Sequence, residues 1–267
     1  MNLGAASHGE LARNRRVVQN GSNTGGGCVG RLWAFVVARR GRFLALFGAV
    51  LLPLVVFGFL AVEVRRGAAL PGDRALLLAL HACTSPPLDA VMVAASVVGA
   101  PWPMLVANLA IGAVLVRRRH RADALFLLLA SSGAMSLNVA AKALFARLRP
   151  DVWASISPED GFSFPSGHAM GSMALGAGLL VVAWPTRWRW PVLVAAGTFV
   201  LCVGVSRAYL GVHYPSDIVA GWCASLAWVV GVDQIRSGIA ERWLRRNTPL
   251  LPGVPRIEDI SRGEPPL

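Results

Sequence analysis

Three short blocks of this sequence hold side chains that could bind and transfer a phosphoryl group. The first block is KALFARLRP, the second is PSGH and the third is SRAYLGVHYPSD. Their chemically capable residues are Lys142, Arg149, Ser166, Gly167, His168, Arg207, His213 and Asp217. Arginine presents a planar fork that grips phosphate oxygens in pairs, and fixed cations stabilise the charge on those oxygens during transfer. These residue types therefore indicate phosphoryl chemistry.

In the third block, His213 and Asp217 stand four residues apart near the start of a predicted helix. Pro215 suits the first position of that helix, which places Asp217 in the first turn. A carboxylate there can hold one imidazole nitrogen and leave the other free to attack. We therefore predict that His213 is a nucleophile oriented by Asp217. His168 is then the acid and base that protonates the leaving oxygen and later activates water.

The PSGH block adds backbone donors to this set. Ser166 can cap the helix that follows, and the free N–H groups at a helix start bind anions readily. Gly167 lets the backbone approach an oxyanion closely. With Lys142, Arg149 and Arg207 supplying positive charge, these five residues form the predicted phosphate-binding set.

The composition predicts the scaffold that must position the three blocks. Of the 267 residues, 55% are hydrophobic and only 15% are charged, whereas a soluble domain carries about 25% charged residues. The charges lie in short basic clusters between apolar stretches, which is typical of a multi-span membrane protein. We predict an all-α bundle of six spans. The apolar segments are 43–62, about 90–116 with a PWP break, about 124–141, about 169–185, about 190–205 and about 216–232.

Arginine clusters predict the orientation of the bundle. They precede the first segment, follow the sixth, and lie in the connections between segments two and three and between four and five. In a six-span chain these four places share one side, which the positive-inside rule makes cytoplasmic. Both termini are then cytoplasmic, and all three blocks lie at the opposite, outward face of an inner membrane of bacterial type.

The remaining composition excludes other classes of protein. The net charge of +12 does not indicate nucleic-acid binding, because the basic residues lie between apolar runs and no nucleic-acid motif is present. The four cysteines form no CxxC pair and no metal-ligand spacing, so we expect no metal and no other cofactor. The polar stretches 1–30 and 247–267 are predicted as flexible cytoplasmic tails around a membrane domain of residues 31–246.

Taken together, the three blocks resemble the signature of the type-2 phosphatidic acid phosphatase superfamily. That superfamily includes bacterial lipid phosphatases and vanadium haloperoxidases. Its pattern reads K-x6-R-P, then P-S-G-H, then S-R-x5-H-x3-D. Here these elements are Lys142–Pro150, Pro165–His168 and Ser206–Asp217, and every signature position matches. The six-span layout extends the likeness over about residues 43–232.

The resemblance implies roles that agree with the chemistry above. His213 matches the residue that forms phosphohistidine, His168 the general acid and Asp217 the residue that orients the nucleophile. The remaining predicted residues match the phosphate-binding groups of the family. The family's phosphatases work without a metal, which agrees with the lack of a metal-ligand cluster in the sequence.

Substrate and alternative functions follow from the resemblance only. An outward site indicates a lipid phosphate, with undecaprenyl or another polyprenyl pyrophosphate as first choice and phosphatidylglycerol phosphate and phosphatidic acid as rivals. A vanadate-dependent peroxidase and an inactive membrane scaffold are the alternatives from other classes. We expect no obligate protein partner. The aromatic residues of the loop 151–164 either contact the lipid or form an interfacial belt. They are Trp153, Phe162 and Phe164.

Overall fold

The structure is a computed structural model and describes residues 44, 47–67, 70 and 72–247, with side chains up to residue 239. The chain divides into two units, 1–48 and 49–267, and the account below concerns the second. The tails predicted at 1–30 and 247–267 lie outside the described residues, apart from Asn247 at the end of a helix. The boundaries predicted for the membrane domain stay a prediction.

Eight α-helices account for most of this described part. A π-helical turn, Phe47–Leu51, leads into the first of them. The helices are α1 (Leu52–Arg65), α2 (Asp73–His81), α3 (Pro86–Val98), α4 (Pro101–Arg117), α5 (Arg121–Phe145), α6 (Gly167–Ala183), α7 (Arg189–Tyr209) and α8 (Pro215–Asn247). The all-α prediction is confirmed for the described residues.

Four of the described helical segments are long and apolar enough to cross a membrane. They are Phe47–Arg65, Arg121–Phe145, Arg189–Tyr209 and Pro215–Ile239. A fifth candidate is the pair α3 and α4, which bends by 55° at the predicted PWP break because a proline removes a backbone donor and restricts the residue before it. The remaining predicted span, α6, is apolar but has only 17 residues, fewer than the roughly 20 that a crossing needs. Five of the six predicted spans therefore have candidate helices.

Helix α6 lies at the centre of the bundle, where it packs against α5, α7 and α8. Small residues let its neighbours approach closely, which is how helices associate without a hydrophobic driving force between them. Its buried residues are His168, Ala169, Met170, Ser172, Ala174, Leu175, Gly176 and Gly178. Ala174 belongs to a core cluster with Phe126, Ala130 and Ala134 of α5 and Val229 of α8. This packing holds the start of α6, and with it the PSGH block, in a fixed place.

The ends of four helices meet where the three blocks lie. The side-chain amide of Asn138 on α5 donates to the carbonyl of Pro165 at 3.0 Å. The amide of Ser166 donates to the carbonyl of Asp217 at 3.0 Å, and that of His213 to the carbonyl of Arg207 at 3.3 Å. The chain therefore brings the end of α5, the start of α6, the end of α7 and the start of α8 to one end of the bundle.

The loop aromatics only partly follow their sequence interpretation. Phe164 is fully buried, with ring centroids 5.8 Å from Phe57 and 5.1 Å from Phe145, so it neither contacts lipid nor belongs to an interfacial belt. Trp153 stacks on His81 with a centroid distance of 4.1 Å. Both residues thus fasten the loop to helices, and only Phe162 is exposed. The nine-residue α2, which carries His81, was not predicted because it is short and is not continuously apolar.

Candidate active site

A carboxylate occupies the point on which the predicted residues converge. Glu159, in the loop 151–164, places Oε1 2.5 Å from Nη2 of Arg207 and 3.7 Å from Nε2 of His168. Its Oε2 lies 3.1 Å from Nη2 of Arg149 and 3.9 Å from Nε2 of His213. One small anionic group is therefore held between the two imidazoles and two guanidinium groups.

His213 is held with one ring nitrogen toward a carboxylate and the other toward the anionic group. Its Nδ1 lies 3.6 Å from Oδ2 of Asp217, and its Nε2 lies 3.1 Å from Nη1 of Arg149. Since Arg149 can only donate, the network assigns the lone pair to Nε2 and the proton to Nδ1. Burial lowers the pKa of His213, and Arg149 and Arg207 lower it further, against the raising influence of Asp217. The ring is therefore neutral at pH 7, with Nε2 available as a nucleophile.

Asp217 is completely buried at the start of α8 and has hydrogen bonds to both oxygens. Oδ2 accepts from the amide of Tyr214 at 2.9 Å, and Oδ1 accepts from Nη1 of Arg147 at 2.5 Å. Helix α8 begins at Pro215, as the sequence predicts. Asp217 therefore lies in the first turn, where the helix dipole favours a negative charge.

Three cations surround the pocket from three different segments. Arg207, on the last turn of α7, is fully buried and donates to the hydroxyl of Ser96 on α3. Arg149 is held by the carbonyls of Asp160 and Gly161 at 3.1 Å and of Val212 at 2.9 Å. Lys142, on the last turn of α5, makes no hydrogen bond or ion pair with any described residue. Because it has no such partner, its ammonium group is available to a ligand. Its charge acts on the same site, since it interacts with those of Arg149, Glu159 and Arg207.

The start of α6 supplies backbone to the same place. Ser166 is the N-cap residue, and its hydroxyl accepts from the amide of Ala169 at 3.5 Å. Gly167 lies close to a neighbour, because a Cβ there would stand 3.1 Å from Oδ1 of Asn138. Gly221 on α8 has a similar role, since its Cβ would stand 2.9 Å from the carbonyl oxygen of Ser166. Glycine at both positions lets α5 and α8 pack closely against the PSGH turn.

The negative charge of Glu159 is secured by its surroundings. Burial raises the pKa of the Glu159 carboxyl, but Arg207, His168, His213 and Arg149 outweigh burial and hold that pKa below its ordinary value. Glu159 is therefore ionised at neutral pH. Its side chain is 28% exposed, whereas those of His213 and Arg207 are 1% and 0% exposed.

Comparison with known proteins places this arrangement in a family. The family model of the PAP2 superfamily matches residues 122–238. Phosphatidylglycerophosphatase B of Bacillus subtilis (strain 168) is 33% identical over 175 residues, which are 64% of this chain and 86% of that protein. The chain belongs to the PAP2 superfamily. This PAP2 protein is accordingly a membrane-bound enzyme of the lipid phosphatase group.

Two other relatives are named for different activities. Undecaprenyl-diphosphatase of Sulfolobus acidocaldarius is 31% identical over 122 residues, which are 43% of this chain and 56% of that protein. The chain thus matches little more than half of that relative. Decaprenylphosphoryl-5-phosphoribose phosphatase of Mycobacterium tuberculosis is 33% identical over 136 residues, which are 48% of this chain and 69% of that protein.

Two solved structures share the fold. The first transmembrane PAP2 type phosphatidylglycerolphosphate phosphatase from Bacillus subtilis superposes with a TM-score of 0.64 at 28% identity, over 70% of this chain and 96% of that chain. LpxE from Aquifex aeolicus superposes with a TM-score of 0.52 at 19% identity, over 61% of this chain and 94% of that chain. The second likeness supports the helical fold alone.

The structure brings all eight predicted residues of this PAP2 protein to one end of the bundle, and it adds four that the sequence analysis did not assign. The additions are Asp73, Asn138, Arg147 and Glu159. Asn138 had a local signal, because it lies four residues before Lys142 and so on the same helical face. Arg147 lies inside the first block, but at one of the six positions where the signature allows any residue. Asp73 and Glu159 lie outside every block, and no local pattern marks them.

Proposed function

We propose that this PAP2 protein hydrolyses a lipid phosphate or pyrophosphate through a phosphohistidine formed on His213. The carboxylate of Glu159 carries the proposal, because its position between His168, His213, Arg149 and Arg207 defines a place for an anion of phosphate size. A phosphoryl group that displaces Glu159 gains the same contacts. It also gains Lys142 and the free N–H groups at the start of α6.

In the first step the substrate phosphorus lies between the two imidazoles. The lone pair on Nε2 of His213 attacks phosphorus, the bond from phosphorus to the leaving oxygen breaks, and His168 gives that oxygen a proton. A bound phosphoryl dianion favours the protonated form of His168, because an opposite charge stabilises the charged imidazole. The products are phosphohistidine and a lipid alcohol, or a lipid monophosphate when the substrate is a pyrophosphate.

In the second step water takes the place of the leaving group. His168, now neutral, removes a proton from water while the water oxygen attacks phosphorus. The bond between phosphorus and Nε2 breaks, its electron pair returns to His213, and inorganic phosphate is released. Asp217 stabilises the charge that His213 carries as phosphohistidine, and Arg149 and Arg207 stabilise the equatorial oxygens in both steps.

An apolar groove beside the site supports a lipid as the substrate. It is a cavity of about 480 Å³ between α1, α5 and α8, lined by uncharged residues that include Leu54, Leu137 and Trp228. Pro165 and Ala141 also line it, and each directly precedes a predicted phosphate-binding residue. A tail in this groove would therefore place its phosphate at the catalytic end.

Two substrates are favoured by different observations. Undecaprenyl pyrophosphate remains the first choice, supported by a relative named for that activity. Phosphatidylglycerol phosphate is supported by the Bacillus subtilis relative, of which this chain covers 86%. Phosphate release from purified protein, compared across both lipids and phosphatidic acid, tests the choice. Leu137→Trp should raise KM for long-chain substrates only, with Leu128→Trp on the lipid face of α5 as the matched control.

Three further experiments test the mechanism. His213→Ala should abolish phosphate release and the acid-labile phosphoenzyme, and a variant with full activity would refute the assigned nucleophile. EDTA should leave activity intact, since the charge at phosphorus is supplied by side chains; loss with EDTA and recovery with magnesium would contradict a metal-free reaction. Added vanadate should inhibit and should not create halide-dependent peroxidase activity. The phosphatase relatives favour this outcome over the peroxidase and scaffold alternatives.

The proposed orientation puts the active site on the outward face and both termini in the cytoplasm. It is supported by the arginines of the α4–α5 and α6–α7 connections, which lie in the links at the other ends of these helices. A C-terminal reporter that is active only in the cytoplasm is the expected result. Activity only on the outside would show that the orientation is inverted.

A further inference from the structure

Asp73 and Arg147 form a carboxylate–arginine pair next to Asp217, on the side away from the phosphate-binding pocket. Arg147 donates from Nη1 to Oδ1 of Asp217 at 2.5 Å and to the hydroxyl of Ser216 at 2.8 Å. Its guanidinium also stacks over the ring of Tyr214, 4.1 Å from the centroid. Arg147 therefore contacts three residues that follow His213 in the chain, Tyr214, Ser216 and Asp217, and its own side chain is only 13% exposed.

Asp73, from the first turn of α2, holds the other side of this arginine. Its Oδ2 lies 3.0 Å from Nη2 of Arg147 and 2.5 Å from the hydroxyl of Ser216. Its Oδ1 accepts from the amide of Ser216 at 2.9 Å. Asp73 is buried, so these hydrogen bonds are shielded from water and cost more to break than surface ones. Asp73 thus holds Arg147, which contacts the carboxylate of Asp217, and Ser216, which directly precedes Asp217 in the sequence.

We infer that Asp73 and Arg147 are positioning residues. They hold Asp217 in the orientation from which it aligns the imidazole of His213 and stabilises the positive charge that this ring acquires. The inference rests on the proposed function, because it assigns these residues a role in the reaction at that site. Neither side chain touches the phosphate-binding pocket. Their contribution is to the geometry of the attack: a displacement of about 1 Å in a catalytic group can cost about 100-fold in rate.

We call Asp73 and Arg147 the clamp. The separation between Nδ1 of His213 and Oδ2 of Asp217 shows why the clamp matters for the orientation of the carboxylate. At 3.6 Å it is longer than a hydrogen bond. The carboxylate has two oxygens, and Oδ1 is already committed to Arg147. This leaves Oδ2 as the oxygen that faces the imidazole, and a rotation of the carboxylate would break the contact with Arg147. The clamp therefore determines which oxygen the nucleophile meets.

The two clamp residues carry opposite charges, so removing each charge should shift the pKa of His213 in opposite directions. A purely structural role would not produce opposite shifts. The charged and titratable groups that face His213 and Asp217 are Glu159 and Arg149 from loops, Lys142 on α5, His168 on α6 and Arg207 on α7, besides Arg147 itself. Removing the positive charge of Arg147 favours protonated His213, so the acid limb of kcat/KM should move to higher pH. Removing the negative charge of Asp73 should move the same limb to lower pH.

The experiment compares Arg147→Met, Arg147→Lys and Asp73→Asn with the wild type, using phosphate release from the best lipid substrate. We expect kcat to fall about 100-fold in Arg147→Met and about tenfold in Asp73→Asn. KM and inhibition by inorganic phosphate should stay within about twofold of wild type, because the phosphate-binding groups are untouched. Arg147→Lys keeps the charge and should recover part of kcat with no shift of the acid limb.

Controls separate this inference from the function on which it rests. Asp123→Asn disrupts a carboxylate–arginine pair away from the site, with Arg236 at 2.7 Å and partly exposed, and should leave kcat and the acid limb unchanged. An active wild type with an inactive His213→Ala, but with Asp73→Asn and Arg147→Met both within twofold of wild-type kcat, would overturn only the clamp. Acid limbs that move in the same direction, or a KM that rises in proportion to the loss of kcat, would also overturn it. Full activity in His213→Ala would instead overturn the proposed function.

Discussion

Two carboxylates flank His213, and the protein holds them in different ways. Asp217 faces Nδ1 from the first turn of a helix, is completely buried, and accepts hydrogen bonds from a backbone amide and from Arg147. Glu159 faces Nε2 from a loop, is 28% exposed at its side chain, and is held by Arg149 and Arg207. The first carboxylate has partners of its own. The second shares its partners with the proposed substrate, so a phosphoryl group can compete for them.

This difference shows how one imidazole can have a permanent partner on one side, Asp217, and an exchangeable partner on the other, Glu159. The proposed nucleophile needs a fixed tautomer, and in our proposal Asp217 provides it from within the protein. The attacking nitrogen needs access to phosphorus, which a buried and fully bonded partner would prevent. Glu159 supplies a negative charge on that side without closing it.

Asp217→Asn breaks the permanent side and should have the largest effect. The amide can present a donor to Nδ1, which stabilises the tautomer with its proton on the attacking nitrogen, and kcat should fall by about 1,000-fold or more. Steady-state phosphate release measures the loss. Asp151→Asn, an exposed carboxylate at the start of the loop 151–164, is the control. A loss of less than tenfold in Asp217→Asn would mean that the carboxylate does not orient the nucleophile.

Arg149→Met affects both sides at once, because Arg149 contacts Nε2 of His213 and Oε2 of Glu159. We expect kcat/KM to fall by about 100-fold, the usual cost of removing one donor from a transition-state oxygen. Arg187→Met, at an arginine between α6 and α7, should leave kcat/KM unchanged. If only KM rises and kcat is unaffected, Arg149 binds the ground state and transition state equally.

Glu159→Gln breaks the exchangeable side and should increase affinity. The amide keeps the size of the side chain but loses the charge that competes with phosphate for Arg149 and Arg207. KM and the inhibition constant of inorganic phosphate should fall by about tenfold, as expected when a competing internal state is removed. Glu63→Gln, which removes a carboxylate paired with Arg66 on α1, is the control. Weaker phosphate binding in Glu159→Gln would show that Glu159 assists the ligand.

The pH dependence should show the smallest effect. The pKa of His213 lies below the ordinary 6.5 because of burial and the nearby arginines, so the acid limb of kcat/KM should lie below pH 6.5. Removing the negative charge of Glu159 disfavours protonated His213 further, so Glu159→Gln should move the limb to lower pH. Comparing both proteins on the same substrate cancels the titration of the substrate itself. A shift to higher pH would contradict the assigned charges.

Much of the fold was predictable from local patterns. Hydropathy located six apolar segments that are helical in the structure, the second of them as the bent pair α3 and α4, and Pro215 located the start of α8. The apolar segment predicted over about 216–232 lies within α8, but the helix continues beyond it to Asn247. Beyond the apolar stretch, Asp233 pairs with Arg236, which also reaches Asp123 on α5. Hydropathy marks where the bilayer would end, and a helix can continue past that point on polar contacts.

The site was predictable only where chemistry and chain order coincide. His213 and Asp217 share one turn of the chain, so their spacing revealed the pair. Asp73 and Glu159 reach the site across long stretches of sequence, and ion pairs of that kind leave no periodic signal. Their partners, Arg147 and Arg149, are two residues apart, yet one faces a carboxylate behind the nucleophile and the other faces the phosphate-binding pocket. Only the fold distinguishes them.

Glu159 also means that the protein carries its own counter-ion from the moment it is synthesised. Arg207 is fully buried, and an unpaired guanidinium in such a place would strongly oppose folding. Because the neutralising charge belongs to the chain, assembly of the helices does not depend on scavenging an anion from the surroundings. In the proposed reaction, each departure of phosphate returns Arg207 to its pair with Glu159.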